Sequence, residues 1–382
     1  MSKPSGIVAV QLRYDLAADG SGRLENPFFR VLGAIRSQGS IAAAARALGF
    51  SYRHLWGYLK QQESAYGRAL ILWDRGRAAR LTEFAEKLLW AETRIQARLA
   101  GQIENLATEI GRELTVAFND AVQIVDCVAS HDLALPALRR LCQAQADLLL
   151  ELRFEGSLQA LSTLRSERCA FAGIHLPLGR PELAARDSAV HRAFGPCLRL
   201  GREKMIRVST RTQGLMVAAG NPRRIGGLRD LAGLRFAQRS QDTGTRALFD
   251  ELIAQSGIAP AEVAGHGLEE STHVAVAAAV ASGAADAGFG IEAAAAAQGL
   301  SFIPMVLEHY FLVCSARTID TPPAAHLIAV LKSPEWRAVL DDLPGYGAEG
   351  AGEVVSLRRT LPWFGPNSAG RQRKAQPRKK IG

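Results

Sequence analysis

The chain has 382 residues, which is too long for one ordinary domain and suits two or three. Hydrophobic residues make up 48% of it, so large cores can be buried. The most apolar window, 274–297, carries Asp286 and Glu292, which excludes it as a membrane span. Five scattered cysteines without a C-x-x-C pair, and an N-terminus without a signal-peptide pattern, favour a reduced cytoplasmic protein.

The net charge of +9 is distributed unevenly. Residues 1–111 carry 15 basic and 10 acidic side chains, residues 112–370 carry 25 and 27, and the last twelve carry six and none. Basic ends favour nucleic acid as a partner, and a near-neutral middle favours a small ligand. We expect the basic tail, 361–382, to be disordered and either to add DNA affinity or only to solubilise the chain.

From residue 26 to residue 90 the apolar side chains recur at helical spacing. Gly39 and Ser40 indicate the stop of a first helix and the N-cap of a second, while Gly49 and Ser51 indicate a turn and the N-cap of a third. Two short helices joined by a tight glycine turn are typical of a helix-turn-helix.

The third helix has an apolar face, on which we interpret Trp56 as a core residue, and a basic, polar face that suits a DNA major groove. Residues 70–73 and 80–82 predict two short strands around a basic turn, which is the form of a wing. Arg53 can instead be a phosphate contact or only a solvated charge, and His54 is more typical of a surface or phosphate contact. The candidate DNA-binding residues are Ser40, Ser51, Tyr52, Arg53, His54, Lys60, Gln61, Arg75, Arg77 and Arg80.

The segments GSIAAAARALGFSYRHLWGYLKQQE and WDRGRAARLTEFAEKLL resemble the winged helix of the molybdate-dependent ModE-type regulators, a family related to the DNA-binding domain of LysR-type regulators. The wing tip, Arg-Gly-Arg-Ala-Ala, is less glycine-rich than in that family. The resemblance implies binding to double-stranded DNA as a dimer, with residues 82–111 as a linker helix. The apolar side of this helix can pack on a second copy or on its own domain; it comprises Leu88, Leu89, Ile95, Leu99, Ile103 and Leu106.

From residue 114 onward, apolar runs alternate with helical patterns, which predicts an α/β fold with ligands at the carboxyl ends of strands. The predicted strands are 114–118, 148–154, 169–176, 214–219 and 288–291, and the predicted helices include 134–145 and 157–166. Polar residues follow several of these strands, namely Asn119, Asp120, Ser157 and His175. We expect these strand ends to converge on one ligand-binding cleft.

The segment 238–246 reads as a small-residue loop between a strand and a helix. Such a loop presents backbone N–H groups and hydroxyls at a helix N-terminus, which favours a negative charge. The alternative is an ordinary N-capped helix with a solvated Arg246. The candidate anion-binding residues of the loop are Arg239, Ser240, Thr243, Gly244, Thr245 and Arg246.

Four motifs resemble the periplasmic-binding-protein-like domain of molybdate- and tungstate-binding proteins. They are Gly-Asn-Pro222, Arg239-Ser-x-x-Thr-Gly-Thr-Arg246, the run from Thr272-His273 to Gly-x-Gly290, and Leu-Pro-Gly-Tyr346. The resemblance covers about residues 112–356. It implies two α/β lobes, joined by crossover strands, that close on a ligand, with molybdate or tungstate as the leading effector.

Several further residues have more than one interpretation. His273 can bind the ligand or only cap and pack its helix, and His175 is open in the same way. Asp286 is more typical of a hydrogen-bonding turn residue, and at least one of Glu269 and Glu270 should lie outside an anion site. The sequence contains neither a metal-ligand spacing nor a recognisable nucleophile–base–orienter set, which argues against an enzyme.

The sequence therefore predicts an α/β protein with a winged helix-turn-helix followed by a two-lobed, type II periplasmic-binding-protein-like domain. We expect a cytoplasmic transcriptional regulator, a homodimer or homotetramer with no cofactor, that senses a small anion. A formate-like organic anion or a molybdenum cofactor stays open as the effector, and a solute-binding transport component or an enzyme stays open as the function. The predicted parts are an arm (1–25), the winged helix-turn-helix (26–84), the linker helix (85–111), the ligand-sensing domain (112–360) and the tail (361–382).

Overall fold

The computed structural model describes residues 15–17, 23–72, 78–118, 122–146, 148–264 and 268–364. These residues fall into two compact units that divide within one long helix, between residues 103 and 104. None of the helices in the described ranges is both long enough and apolar enough to cross a membrane.

The first unit contains three helices, two antiparallel pairs of short strands and the start of a fourth, long helix. In chain order its elements are β1 (Asp15–Ala17), β2 (Arg23–Glu25), α1 (Asn26–Gln38), α2 (Ile41–Leu48), α3 (Tyr52–Tyr66), β3 (Ile71–Leu72), β4 (Arg80–Leu81) and the start of α4 (Glu83–Phe118). The pairs β1–β2 and β3–β4 are antiparallel. The three predicted helices are confirmed and the two strands of the wing are present, but the wing tip at 73–77, with Arg75 and Arg77, lies outside the described residues.

Local capping explains where these helices begin and end. The Ser40 hydroxyl accepts a hydrogen bond from the Ala43 N–H at 3.4 Å, and the Ser51 hydroxyl accepts one from the His54 N–H at 3.1 Å. Between α2 and α3, Gly49 adopts a φ of 73°, a left-handed conformation that glycine reaches without strain. The core beneath the helices contains Phe28, Leu32, Ile35, Ile41, Ala44, Leu55, Leu59, Leu70 and Leu89.

The long helix α4 corrects one prediction. Residues 114–118, predicted as a strand, form its last turns, so the helix extends to Phe118. A five-residue run of mixed apolar and polar side chains fits both periodicities, but the apolar residues Leu106, Ile110 and Leu114 continue the four-residue spacing of a helix. These three side chains are exposed, by 53%, 46% and 42%.

The second unit is an α/β fold. Its first elements are β5 (Gln123–Ala129), α5 (Leu135–Ala146), β6 (Leu148–Phe154), α6 (Ser157–Arg165), β7 (Phe171–Leu176), α7 (Ala189–Phe194), β8 (Glu203–Val217), β9 (Phe236–Arg239), α8 (Gly244–Ser256) and α9 (Pro260–Ala264). Then follow β10 (Leu268–Glu270), α10 (His273–Ala281), β11 (Ala287–Ile291), α11 (Glu292–Ala297), β12 (Ser301–Ser315), α12 (Pro322–Leu331), α13 (Pro334–Asp341), β13 (Tyr346–Gly347), β14 (Val354–Ser356) and α14 (Leu357–Thr360).

The strands form one mixed, curled sheet in the order β10-β9-β11-β8-β12-β7-β5-β6, with β13 and β14 also pairing with β8. The parallel strands β5, β6 and β7 belong to the first lobe, and β9, β10 and β11 to the second. The antiparallel strands β8 and β12, each of 15 residues, cross from one lobe to the other. The two-lobed prediction is confirmed. The sequence did not predict β5, residues 203–213 of β8, the whole of β12, or the short strands β10, β13 and β14.

The start of the predicted tail belongs to the folded second unit. Leu361 and Trp363 are buried, and they pack with Leu357 of α14 against side chains of β7 and α7. The large apolar area of a tryptophan stabilises this end of the chain against the first lobe. The expectation of a disordered tail is therefore wrong for residues 361–364, and residues 365–382 lie outside the described residues.

The last turns of α4 dock on β6, the strand at one end of this sheet. The Asn105 side chain accepts a hydrogen bond from the Phe154 N–H at 2.6 Å and donates one to the Phe154 carbonyl at 3.2 Å. Thr108 donates to the Leu152 carbonyl at 2.9 Å, and Arg112 pairs with Glu151 at 3.0 Å. Side chains of the helix thus satisfy polar groups that an edge strand would otherwise leave open, which attaches this part of α4 to the first lobe.

Candidate ligand-binding cleft and nucleic-acid interface

The carboxyl ends of β5, β6, β7 and β9 meet between the two lobes of the second unit. A Cβ atom added to Gly156, which precedes Ser157, would lie 2.7 Å from the Asp242 carboxylate, so the loop after β6 contacts the loop after β9. A Cβ atom added to Gly244 would lie 3.7 Å from the His175 carbonyl oxygen, so the start of α8 lies beside the end of β7. The structure therefore brings the predicted residues after β6, β7 and β9 into one cleft, while Asn119 and Asp120 lie outside the described residues.

A buried network of ion pairs forms the floor of this cleft. Arg211 of β8 contacts the Asp132 carboxylate at 2.9 Å and the Glu308 carboxylate at 3.1 Å, and all three side chains are at most 2% exposed. Tyr346 donates a hydrogen bond to Asp132 at 2.8 Å. Burial raises the pKa of Asp132, but the hydrogen bond from His175 and the charge of Arg211 outweigh it and hold that pKa well below its usual range.

Arg239, at the end of β9, is the second buried cation of the cleft and is only 4% exposed. Its one hydrogen bond within the described part of the chain is a long one, 3.5 Å to the Glu270 carbonyl, and its Nε atom has no partner there. Burial and the nearby charge of Arg211 lower the pKa of Arg239 to about 9. The charges of the Asp242 and Glu270 carboxylates offset only part of this effect, so Arg239 is a buried cation without a close hydrogen-bond partner, which is costly.

Two further buried polar atoms of this region have no partner among the residues described. They are the side-chain amide oxygen of Gln213 and His273 Nδ1. The Gln213 amide nitrogen donates to Thr245 at 3.1 Å and to Glu308, and His273 Nε2 lies 3.5 Å from the Thr245 hydroxyl. An unsatisfied buried polar group costs about 1–3 kcal/mol, so a ligand that supplies partners is favoured here.

The sequence allows the loop 238–246 to be either an anion-binding loop or the start of an ordinary N-capped helix, and the structure has features of both. Thr243 is the N-cap of α8: its hydroxyl accepts from the Arg246 N–H at 3.3 Å and donates to the Ser240 carbonyl at 2.7 Å. The Arg246 side chain pairs with Asp250, one helical turn later, at 2.9 Å. Thr243 and Arg246 thus behave as in a capped helix, which leaves Arg239 as the cation directed to the cleft.

Three histidines surround the two arginines. Burial, and then the charges of Arg211 and Arg239, lower the pKa of His131 to about 4 and that of His273 well below its ordinary value near 6.5. Burial and Arg211 also lower the pKa of His175. All three side chains are therefore neutral near pH 7 and can act as hydrogen-bond donors and acceptors without adding charge.

The structure also assembles a serine, a histidine and an aspartate that the sequence did not reveal as a set. Ser130 Oγ lies 3.1 Å from His175 Nδ1, and His175 Nε2 lies 3.3 Å from the Asp132 carboxylate. Asp132 is already neutralised by Arg211, and the pKa of His175 is lowered, so this histidine is a weak general base. The arrangement is better suited to orienting the Ser130 hydroxyl than to activating it.

Sequence reasoning missed the residues of the cleft floor, Asp132, Arg211 and Glu308. The signal for Asp132 is the apolar run 123–129, which ends in Ser130-His131-Asp132, but the strand was placed at 114–118 instead. Of the two consecutive acids, Glu269 is exposed and Glu270 buried, and Asp286 pairs with Arg223 and Arg235 at the surface, as expected. The described residues contain no group of His, Cys, Asp or Glu side chains that could hold a metal ion.

On the first unit, α3 carries the candidate DNA contacts. Arg53, His54 and Gln61 are exposed, and His54 lies 5.2 Å from the Phe50 ring. The interpretation of Trp56 as a core residue is wrong, because its side chain is 40% exposed. Lys60 Nζ lies 5.6 Å from the centre of the Trp56 ring.

Tyr52 is 51% exposed and lies one turn before Trp56, so an aromatic pair belongs to the outward face of α3. Only Leu55 and Leu59 of the predicted apolar face are buried. The hydroxyls of Ser40 and Ser51 are occupied as N-caps, and Arg80 of β4 is exposed.

Comparison with known families agrees with both units. Residues 138–332, about half of the chain, match the PBP superfamily domain, where PBP stands for periplasmic binding protein. The chain belongs to the PBP superfamily. Residues 28–86 match the bacterial regulatory helix-turn-helix proteins of the lysR family. The first unit is thus a regulatory helix-turn-helix of the LysR type, whereas the finer resemblance to ModE-type regulators is not part of this match.

Two relatives are themselves uncharacterized proteins. The chain is 32% identical over 206 residues to YvgK of Bacillus subtilis (strain 168), which covers 53% of this chain and 64% of YvgK. It is also 33% identical over 110 residues to a Clostridium pasteurianum protein from the 5′ region of a ferredoxin 2Fe-2S gene. That match covers 28% of this chain and 97% of the Clostridium protein. Among solved structures, an H2O2-bound mutant of Corynebacterium glutamicum OxyR is similar at 17% identity and a TM-score of 0.43, over 81% of this chain and 93% of that one.

The lowered histidine pKa values predict how the stability of the second unit depends on pH. Unfolded histidines bind protons near pH 6.5, whereas the buried ones do so only at lower pH, so the unfolded state binds more protons in between. The free energy of unfolding should therefore fall as the pH is lowered from about 7 to about 5. Urea denaturation followed by circular dichroism measures this change, and His131→Asn should make it smaller.

The matched control is His326→Asn, because His326 is exposed on α12. It should leave the pH dependence of the unfolding free energy as in the unsubstituted protein. An equal pH dependence in the His131 and His326 variants would contradict the assignment of His131 as a partly buried histidine with a lowered pKa.

Proposed function

We propose that this protein is a cytoplasmic transcriptional regulator that binds double-stranded DNA through its winged helix-turn-helix and a small anion in the cleft of its second unit. The observation that carries the proposal is Arg239, a buried guanidinium with one long hydrogen bond at the junction of the two lobes. A LysR-type helix-turn-helix on the same chain as a PBP superfamily domain supports the combination of the two activities.

Molybdate or tungstate is the leading effector, on the resemblance of the motifs around Arg239 and His273 to molybdate- and tungstate-binding proteins. Neutral histidines, Ser157, Ser240 and the Thr245 hydroxyl offer hydrogen bonds to such an oxyanion. The buried carboxylates of Glu308 and Glu270 instead favour a singly charged ligand, because they repel a dianion. A formate-like organic anion is therefore the alternative effector that the charges favour. A molybdenum cofactor is a further alternative, but its phosphate group carries more than one negative charge, so the buried carboxylates do not favour it over molybdate.

Ligand binding can be coupled to α4 through the end of β6. The Phe154 backbone is held by Asn105 of α4, and the Phe154 ring lies 5.2 Å from the His131 ring, beside the cleft. Two residues later, Gly156 contacts the loop after β9 in the other lobe. Closure of the lobes on an anion would thus act on the strand to which α4 is attached, which is the differential contact that coupling requires.

Two functions of other classes remain to be tested against this one. A solute-binding transport component would share the PBP superfamily domain but would have no use for a helix-turn-helix. An enzyme is favoured only by the Ser130, His175 and Asp132 geometry, and turnover of an anionic ester that Ser130→Ala abolishes would support it. Sequence-specific protection of DNA near its own gene would support the regulator instead.

We expect Arg239→Met to weaken effector binding on the order of tenfold or more, because a charge-assisted contact in a dry cleft is lost. Isothermal titration calorimetry with molybdate, tungstate, sulfate and formate measures the change and ranks the anions. The matched control is Arg246→Met, since Arg246 is paired with Asp250 and should contribute little. A larger loss in the Arg246 variant would move the site to the start of α8 and contradict the role of Arg239.

For DNA, Arg53→Ala should weaken binding to a fragment from upstream of its own gene, as measured by fluorescence anisotropy. If Arg53 contacts a phosphate, the slope of the logarithm of the binding constant against the logarithm of the salt concentration should become shallower by about one in the variant. If Arg53 contacts a base, the variant should lose about 1–3 kcal/mol of discrimination between the specific site and other sequences. Arg36→Ala is the control, because Arg36 lies over the Trp90 ring and pairs with Glu86. If both variants bind as the unsubstituted protein does, Arg53 is only a solvated charge and makes no DNA contact.

The exposed stripe of Leu106, Ile110 and Leu114 on α4 supports a homodimer, since a second copy can cover these side chains in an antiparallel or parallel pair of helices. Ile110→Asp should shift the protein towards monomers in sedimentation velocity, because it places a charge in the apolar contact. Glu109→Ala, an exposed neighbour outside the stripe, should leave the oligomeric state unchanged. A monomeric unsubstituted protein would exclude this interface.

A further inference from the structure

A second cavity, of about 700 Å³, lies in the second unit and shares no lining residue with the cleft. Its walls come from the first part of β8, the middle of β12, the strand β14 with the residue before it, the short helix α14 and the turn after β7. The residues that line it are Leu178, Lys204, Arg207, His309, Glu353, Val354, Val355, Ser356, Arg359 and Thr360.

The charges of this cavity are unbalanced. Lys204, Arg207 and Arg359 are cationic, and Glu353 is the single acid among the lining residues. Arg207 pairs with Glu353 at 3.1 Å. The side chains of Lys204 and Arg359 have neither an ion pair nor a hydrogen bond within the described ranges, so the cavity holds two cations without counter-charges.

Arg207 is held in a fixed position at the cavity wall. Its guanidinium lies 5.9 Å from the centre of the Phe311 ring and 3.4 Å from His309 Nδ1, and it is 26% exposed. Burial and the charge of Arg207 lower the pKa of His309, so this histidine is a neutral hydrogen-bonding group. A cation that packing has already immobilised loses little entropy when it binds an anion.

The size and the walls of the cavity indicate which anion it fits. The cavity is a groove open to solvent on one side, and its volume of about 700 Å³ exceeds what one inorganic oxyanion fills. Leu178, Val354 and Val355 add apolar surface beside the cations. The shared chemistry is an organic molecule with at least two negative charges, carried by a phosphate or by two or more carboxylates.

We propose that this cavity is a second effector site, which binds a multiply charged organic anion between Lys204, Arg207 and Arg359. The site is independent of the cleft around Arg239, so the protein can respond to two different anions. Glu353 competes with the ligand for Arg207, because the carboxylate occupies the position at which a ligand oxygen would pair with that guanidinium.

The test is calorimetric titration of the full chain with pyrophosphate and with citrate as probes, one for the phosphate and one for the carboxylate class. The double variant Lys204→Ala, Arg359→Ala should weaken binding of the preferred probe on the order of tenfold or more. Arg358→Ala is the matched control, because Arg358 is the exposed neighbour of Arg359 and does not line the cavity.

Glu353→Gln gives the test a gain of function. It removes the competing charge at an exposed position, so it should tighten binding and leave the fold intact. Arg239→Met separates the two sites, since it should leave the affinity for these probes unchanged. Three outcomes would each overturn the proposal. Neither probe binds saturably, or the double variant binds as tightly as the Arg358 variant, or affinity is lost only in Arg239→Met.

Discussion

The ion pairs that join Arg211 to Asp132 and Glu308 are the interaction on which the second unit depends. Arg211 and Glu308 lie on the two crossover strands and Asp132 follows β5, so one guanidinium ties both crossovers to the first lobe. Breaking a buried pair by removing one partner costs about 3–5 kcal/mol, since it leaves the other charge unpaired. The network therefore holds the two crossover strands and the end of β5 in fixed positions relative to each other. These residues form the floor of the cleft.

Arg239 is the counterpart of Arg211 in the other lobe, and the contrast between them defines the chemistry of the cleft. Arg211 has two carboxylates, whereas Arg239 has one carbonyl at 3.5 Å and a lowered pKa. The fold thus pairs one buried cation with two carboxylates and leaves the other with one long hydrogen bond among the described residues, which is why we propose Arg239 as the anion contact. The surrounding histidines have lowered pKa values because burial disfavours their charged form, and because Arg211, joined by Arg239 in the case of His131 and His273, repels an added positive charge.

Local sequence signals were sufficient to predict most helices. They failed where a residue lies at the edge of the buried face of a helix, and where a short segment fits both a helix and a strand. Serine caps and glycine turns act within a few residues, so Ser40, Gly49 and Ser51 could be assigned from the sequence. Trp56 could not, because it lies beside Leu55 on the helix surface and only packing decides which of the two is covered. Residues 114–118 failed likewise, since five residues do not distinguish a strand from the end of a helix.

The sequence by itself determined the two-unit organisation, the helix-turn-helix, the α/β character of the body and the loop that contains Arg239, because these depend on periodicity, caps and charge along the chain. Only the tertiary structure decided the site. Asp132, Arg211 and Glu308 are far apart in sequence and meet because β8 and β12 pair along their whole length. Whether a given arginine is paired or left for a ligand depends on such long-range contacts, which local patterns do not encode.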